Sequence, residues 1–104
     1  MEQRFGLNAL TKILYMRNLD KQVEEYGLEN AIRMEPAEMY DSCVVGILER
    51  FGQPSVLLYD KSKVLEKLMD DGADYGEALE YYEYNQLGGW FGDGTPGFLV
   101  ELPE

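Results

Sequence analysis

Carboxylates are the most abundant side chains in this 104-residue sequence that are able to do chemistry. Twenty acidic residues stand against nine basic ones, and nine of the acids fall within residues 68–104, where no lysine or arginine occurs. Carboxylates can bind a divalent cation, transfer protons or contact a basic surface. The nine are Asp70, Asp71, Asp74, Glu77, Glu80, Glu83, Asp93, Glu101 and Glu104.

A calcium-binding loop does not fit these acids. If such a loop began at Asp70, Tyr75 would stand where the EF-hand requires glycine, and Tyr81 where it requires a bidentate glutamate. A looser carboxylate site for Mg²⁺ or Ca²⁺, serving a carboxylate-based metal enzyme, stays open as an alternative. The residues predict no metal site and no cofactor.

The composition also disfavours proton transfer and nucleophilic catalysis. The sequence has no histidine, the side chain whose unperturbed pKa lies near neutrality. Cys43 is the single cysteine, so neither a disulfide within the chain nor a Cys/His zinc centre can form. Its sequence neighbours are acidic and apolar, which predicts a buried, unreactive thiol. We therefore expect a protein that is not an enzyme.

Residues 88–97 are rich in glycine, as phosphate-binding loops are. Such loops open a helix and commonly carry a lysine, whereas no basic residue follows Lys67. The segment is therefore predicted to be a turn-rich loop. Trp90 and Phe91 within it are either folded onto the core or exposed as an anchor for a partner, and we expect them to fold onto the core.

The formal net charge of −11 limits the partners of the protein. Nucleic acids and anionic membrane surfaces are bound through basic residues, so direct binding to either is not expected. A protein with a basic surface is the predicted partner. The single cysteine and the lack of a charged-then-apolar leader predict a cytoplasmic location.

Tyrosines lie between acids that local structure does not explain. Asp74 and Glu77 have the spacing of a capping box, which accounts for both. Asp70 and Asp71, at the predicted end of the third helix, oppose the helix macrodipole. Glu77, Glu80 and Glu83, spaced three residues apart on the fourth helix, repel one another. Exposed tyrosine is a frequent interface anchor. The predicted partner-binding residues are Asp70, Asp71, Glu80, Tyr81, Glu83 and Tyr84. The competing interpretation is an acidic surface that only confers solubility.

Apolar spacing and chain breakers predict the elements that carry these residues. Residues 8–26 lack proline and glycine and have helical apolar spacing, and Gly27 ends this first helix. Residues 28–34 form a loop or a short helical turn. Pro36 suits the first turn of a second helix, which ends at residues 52–54. Its predicted buried stripe comprises Tyr40, Cys43, Val44, Ile47, Leu48 and Phe51.

Residues 55–59 are a short apolar run that is typical of a buried strand. Asp60 caps a third helix, which ends at Gly72, and Asp74 caps a fourth. Residues 98–102 form a second strand. These elements predict a single α+β domain over residues 1–104, with about four helices packed on a two-stranded or otherwise small sheet. The predicted core face of the fourth helix comprises Tyr75, Ala78, Leu79 and Tyr82.

Residues 77–98, EALEYYEYNQLGGWFGDGTPGF, resemble the ending of small uncharacterised phage and prophage proteins. In size and charge the chain is also similar to acidic phage inhibitors of restriction and CRISPR systems, some of which imitate the negative surface of nucleic acid. These resemblances imply a non-enzymatic inhibitor, acting in the host cytoplasm, that blocks a basic, nucleic-acid-handling surface of a defence protein. No site residue follows from them. The alternative is a small structural or assembly module that forms a homo-oligomer.

Overall fold

The computed structural model describes residues 18–104. Its first helix, α1 (Leu19–Glu25), begins at Asn18, whose Oδ1 accepts a hydrogen bond from the Lys21 backbone N–H at 3.1 Å. Gly27 follows the helix with a φ of +68°, a conformation that glycine adopts without strain. The predicted first helix is confirmed over these residues, while its residues 8–17 lie outside the described part of the chain.

The predicted second helix is wrong over most of its length. The chain forms a single turn, α2 (Ala37–Tyr40), then a 3₁₀ turn (Asp41–Cys43), and then strand β1 (Val44–Arg50). The apolar residues of β1 were assigned to a helix by their spacing, but the two consecutive valines that open it are β-branched and favour a strand. Phe51, assigned to the buried stripe, is fully exposed beyond the end of β1, and Ile47 is also exposed.

Within residues 18–104, three strands form one sheet in the order β1-β2-β3. Strand β2 (Gln53–Asp60) contains the predicted strand of residues 55–59 and pairs antiparallel with β1. Strand β3 (Gly97–Leu99) pairs in parallel with β2. This last strand is shorter than predicted, because Leu99 pairs with Asp60 and β2 ends there. The fold is α+β as predicted, and its described part has three strands rather than two.

The third and fourth helices begin where the sequence predicts. Helix α3 (Lys61–Asp70) begins at Asp60, whose Oδ1 accepts a hydrogen bond from a backbone N–H in the first turn at 3.2 Å. Helix α4 (Tyr75–Tyr81) begins with a reciprocal capping box. The Glu77 N–H donates to Asp74 Oδ1 at 2.8 Å, and the Asp74 N–H donates to Glu77 Oε1 at 2.9 Å. Both bonds satisfy N–H groups that would otherwise lack a partner.

The fourth helix continues as a π-helical segment (Tyr82–Leu87), in which hydrogen bonds span five residues. The Gly88 N–H donates to the Glu83 carbonyl oxygen at 3.0 Å. A Cβ at Gly88 would lie 2.7 Å from that same oxygen, so the close approach requires glycine.

The core lies between the sheet and helices α3 and α4. The Phe98 ring packs between two buried tyrosines, with centroid distances of 5.2 Å to Tyr82 and 6.0 Å to Tyr59. The Tyr59 hydroxyl accepts a hydrogen bond from the Met34 N–H at 2.8 Å. Tyr75 was assigned to this core incorrectly. It is 59% exposed, because it borders a surface groove beside α3 rather than the packed interior.

Candidate functional site

The six predicted partner-binding residues lie where two neighbouring helices end. Tyr81 is 48% exposed and Tyr84 is 78% exposed, so both rings are available to a partner. All six are exposed to solvent: Asp70 and Asp71 at the end of α3, Glu80 and Tyr81 at the end of α4, and Glu83 and Tyr84 in the π-helical segment.

Asp71 and Tyr81 line one cleft, of about 660 Å³, between α2 and the ends of α3 and α4. Two further carboxylates, those of Glu35 and Glu77, lie in its lining, and we call it the acidic cleft. The described residues that line it include no lysine or arginine. Its apolar surface comes from Pro36, Met39, Tyr40, Leu68 and Ala73.

The acidic cleft brings together only part of the predicted site. The other four predicted residues are exposed on the same helix ends but do not line the cleft. Sequence reasoning missed Glu35, which lies in the loop before α2, far along the chain from the other acids. Its position before Pro36 gives no functional signal, because only the tertiary fold places this loop beside α4.

A second cleft, of about 340 Å³, lies on the other side of Tyr81. The rings of Tyr81, Phe91 and Phe98 line it, and we call it the aromatic cleft. Glu35 and Tyr81 line both clefts and therefore form the ridge between them. The remaining lining residues are Ile32, Arg33, Met34, Asn85, Gln86, Thr95 and Pro96.

Trp90 and Phe91 are exposed rather than folded onto the core, which corrects the prediction. They are 68% and 64% exposed, and Phe98 is the aromatic ring that packs between the core tyrosines Tyr59 and Tyr82. The loop that carries them is held by its backbone. The Phe91 N–H donates to Thr95 Oγ1 at 2.7 Å, and the Gly94 carbonyl oxygen accepts from the Ile32 N–H at 2.9 Å. The glycine-rich segment is a turn-rich loop, as predicted.

The described arginines are held by interactions away from the acidic cleft. The Arg33 guanidinium contacts Asp20 at 2.5 Å and Asp41 at 2.6 Å, and these carboxylates, Asp20 foremost, raise its pKa. The Arg50 guanidinium donates to the carbonyl oxygens of Pro54 at 2.8 Å and Asp93 at 2.9 Å. Neither arginine therefore neutralises the carboxylates of the cleft.

The carboxylates of residues 70–104 remain without ion pairs within the part of the chain that the structure describes. Among the same residues, no group of three or more potential ligands is arranged to hold a metal ion. The acidic side chains of the two helix ends therefore form a negative surface without ion pairs to the described residues. Such a surface attracts a cationic partner and repels an anionic one.

Two buried groups near these clefts titrate above their ordinary range. Burial raises the pKa of the Tyr40 hydroxyl, while a hydrogen bond from the Gln86 side chain opposes the shift. Electrostatic interactions with Tyr81, Cys43 and Asp71 also raise the pKa of Tyr40. Burial also raises the pKa of the Cys43 thiol, and the predicted burial of this residue is confirmed.

Comparisons with protein-family models, with curated proteins and with solved structures each found no match to this chain. Among residues 18–104, no helix combines the length and apolar character needed to cross a membrane.

Proposed function

We propose that this protein is a non-enzymatic binding protein whose acidic face blocks a basic, nucleic-acid-handling surface of another protein. The acidic face consists of the six predicted partner-binding residues together with Glu35 and Glu77. The observation that carries the proposal is the meeting of Asp71 and Tyr81 with these two glutamates in one cleft that the described residues line without a cation.

The acidic face combines the two features that basic surfaces recognise. Its carboxylates steer a cationic partner into contact and raise the association rate. Its tyrosines, Tyr81 and Tyr84, offer large contact areas with a polar tip, which slows dissociation once they are packed. Because the face is uncompensated by the arginines described above, its charge is available to the partner.

The resemblance to phage proteins favours a host defence protein as the partner. A nucleic-acid-handling enzyme of a restriction or CRISPR system has a basic groove, and the −11 charge of this chain suits it. Binding in that groove would exclude nucleic acid by competition for the same charges. The proposed place of action is the cytoplasm of the host cell.

A pull-down from host lysate at low and high salt tests this proposal. The bait is the full chain, compared with a four-acid variant in which Asp70 and Asp71 become Asn and Glu80 and Glu83 become Gln. A matched control neutralises four exposed acids that line neither cleft: Glu24, Glu25, Glu29 and Glu49. We expect a nucleic-acid-handling protein that is captured by the control, lost with the four-acid variant and released as salt rises.

A homo-oligomer is the second candidate function. The observation that favours it is strand β1, which is an edge of the sheet in the described part of the chain and carries exposed Val45 and Ile47. Edge strands with exposed apolar residues can pair with a second copy. Light scattering after gel filtration distinguishes the two functions: a dimer that Ile47→Lys dissociates favours assembly, and a monomer contradicts it.

A further inference from the structure

The aromatic cleft has rings on several sides that the fold leaves accessible. Tyr81 and Phe91 are exposed, and Phe98 is partly buried at the inner side of the cleft. The face of an aromatic ring carries negative electrostatic potential and attracts a cation or a planar group that stacks on it. The walls of this cleft therefore suit a flat side chain, and a cationic one in particular.

The charge at the aromatic cleft is negative. Glu35 stands on the ridge, and Asp71 and Glu77 lie in the adjoining acidic cleft. Arg33 also lines the aromatic cleft, but its two terminal nitrogens are bound by Asp20 and Asp41, whose two negative charges outweigh its single positive charge. A positively charged occupant is therefore favoured at this position.

We infer that the aromatic cleft receives an arginine side chain from the partner protein. A guanidinium is planar, stacks on aromatic rings and carries a permanent positive charge, so it matches both the rings and the negative charge of the cleft. A phenylalanine would leave the negative charge unused, and the compact lysine ammonium is more strongly hydrated and cannot stack. This inference rests on the proposed function, because the arginine belongs to the basic surface of that partner.

Peptide titration followed by NMR tests the arginine site directly. The probe is a short glycine-serine peptide with one central arginine, added to the full chain labelled with nitrogen-15. We expect saturable shifts of the Gln86 side-chain amide and of the Tyr81 and Phe91 backbone amides. Matched peptides carry citrulline, lysine or phenylalanine instead, and we expect citrulline, which is nearly isosteric but neutral, to bind about tenfold more weakly. Equal binding of the citrulline or the phenylalanine peptide would overturn the inference.

Two neighbouring loop residues supply a matched pair of variants. Phe91→Ala removes a ring of the cleft, whereas Trp90→Ala removes an equally exposed ring that does not line it. We expect the first to weaken binding of the arginine peptide severalfold and the second to leave it unchanged. If Phe91→Ala disturbed the fold, the citrulline comparison on the unaltered chain would still decide the matter.

The same variants separate this inference from the proposed function. A partner that is lost with the four-acid variant but binds Phe91→Ala with full affinity overturns the arginine site and leaves the proposed function standing. If the four-acid variant associates with the partner as fast as the unaltered chain does, the proposed function is overturned. The peptide titration still reports whether the aromatic cleft binds arginine.

Discussion

Glu35 and Tyr81 lie side by side in the lining of two clefts, one acidic and one aromatic. They come from the loop before α2 and from the end of α4, so only the folded chain brings them together. Because both residues line both clefts, the carboxylate-rich acidic cleft and the ring-lined aromatic cleft adjoin one another. A basic protein surface can therefore contact both at once.

The Asp74 cap contributes to stability rather than to partner binding. Asp74→Ala removes the acceptor for the Glu77 N–H, so we expect the free energy of unfolding to fall by roughly 1 kcal/mol. Urea denaturation measures this loss, and Asp74→Asn, which keeps a capping oxygen, should lose much less. Loss of partner binding by Asp74→Ala at unchanged stability would place this residue in the binding site instead.

Gly88 permits the hydrogen bond from its own N–H to the Glu83 carbonyl oxygen at the end of the π-helical segment. In Gly88→Ala the new Cβ would lie 2.7 Å from the Glu83 carbonyl oxygen, so the variant should be less stable by about 1–3 kcal/mol. Gly76→Ala is the matched control, since its Cβ would meet only Asp74 Oδ1 at 3.5 Å within a helix. We expect this control to be neutral or more stable by up to about 1 kcal/mol. Equal effects in thermal unfolding would contradict the close approach at Gly88.

Cys43 should be unreactive in the folded protein. Its side chain is buried, and burial raises the pKa of the thiol, so the reactive thiolate is scarce at neutral pH. A thiol reagent should label the native chain far more slowly than the chain unfolded in urea. Rapid labelling of the native chain, at a rate similar to that of the unfolded chain, would show that the thiol is accessible.

Stability should decline at alkaline pH. Burial raises the pKa of Tyr82 in the folded state, so the unfolded chain loses this proton first as pH rises. The stability that the protonated Tyr82 hydroxyl contributes is therefore fully present below the ordinary tyrosine pKa. It is lost as pH rises through the raised pKa of Tyr82 in the folded state. Tyr82→Phe removes this titration, and its melting temperature should fall less steeply above about pH 10. Parallel curves for the two proteins would contradict the prediction.

Local signals were sufficient to predict the helices that carry the acids. The Asp60 and Asp74 caps mark helix starts through side-chain hydrogen bonds within a few residues, and the structure contains both. The helix predicted over residues 44–51 is wrong for a different reason. The apolar spacing of so short a run is compatible with a helix and with a strand. The pairing of Ile47 with Leu57 in the sheet stabilises the strand. This contact joins residues ten positions apart, so the spacing of apolar residues within 44–51 does not reveal it.

The candidate site could be predicted only in part for the same reason. Charge and expected exposure, both of which follow from local helical spacing, predict Asp71 and Tyr81, which line the acidic cleft. Glu35 and Phe91 were not assigned to it, because they come from loops that the tertiary fold places beside α4. The capping role of Glu77 also concealed its place in the acidic cleft, since one residue serves both.

The association rate of the four-acid variant tests the central claim most directly. The fold should be intact or slightly more stable, because the change removes repulsion and unfavourable charges at the end of α3. With the captured partner at physiological salt, we expect its association rate to fall at least about tenfold, while the matched control keeps most of the original rate. An association rate equal to that of the unaltered protein would contradict the proposal that the acidic face binds a basic surface.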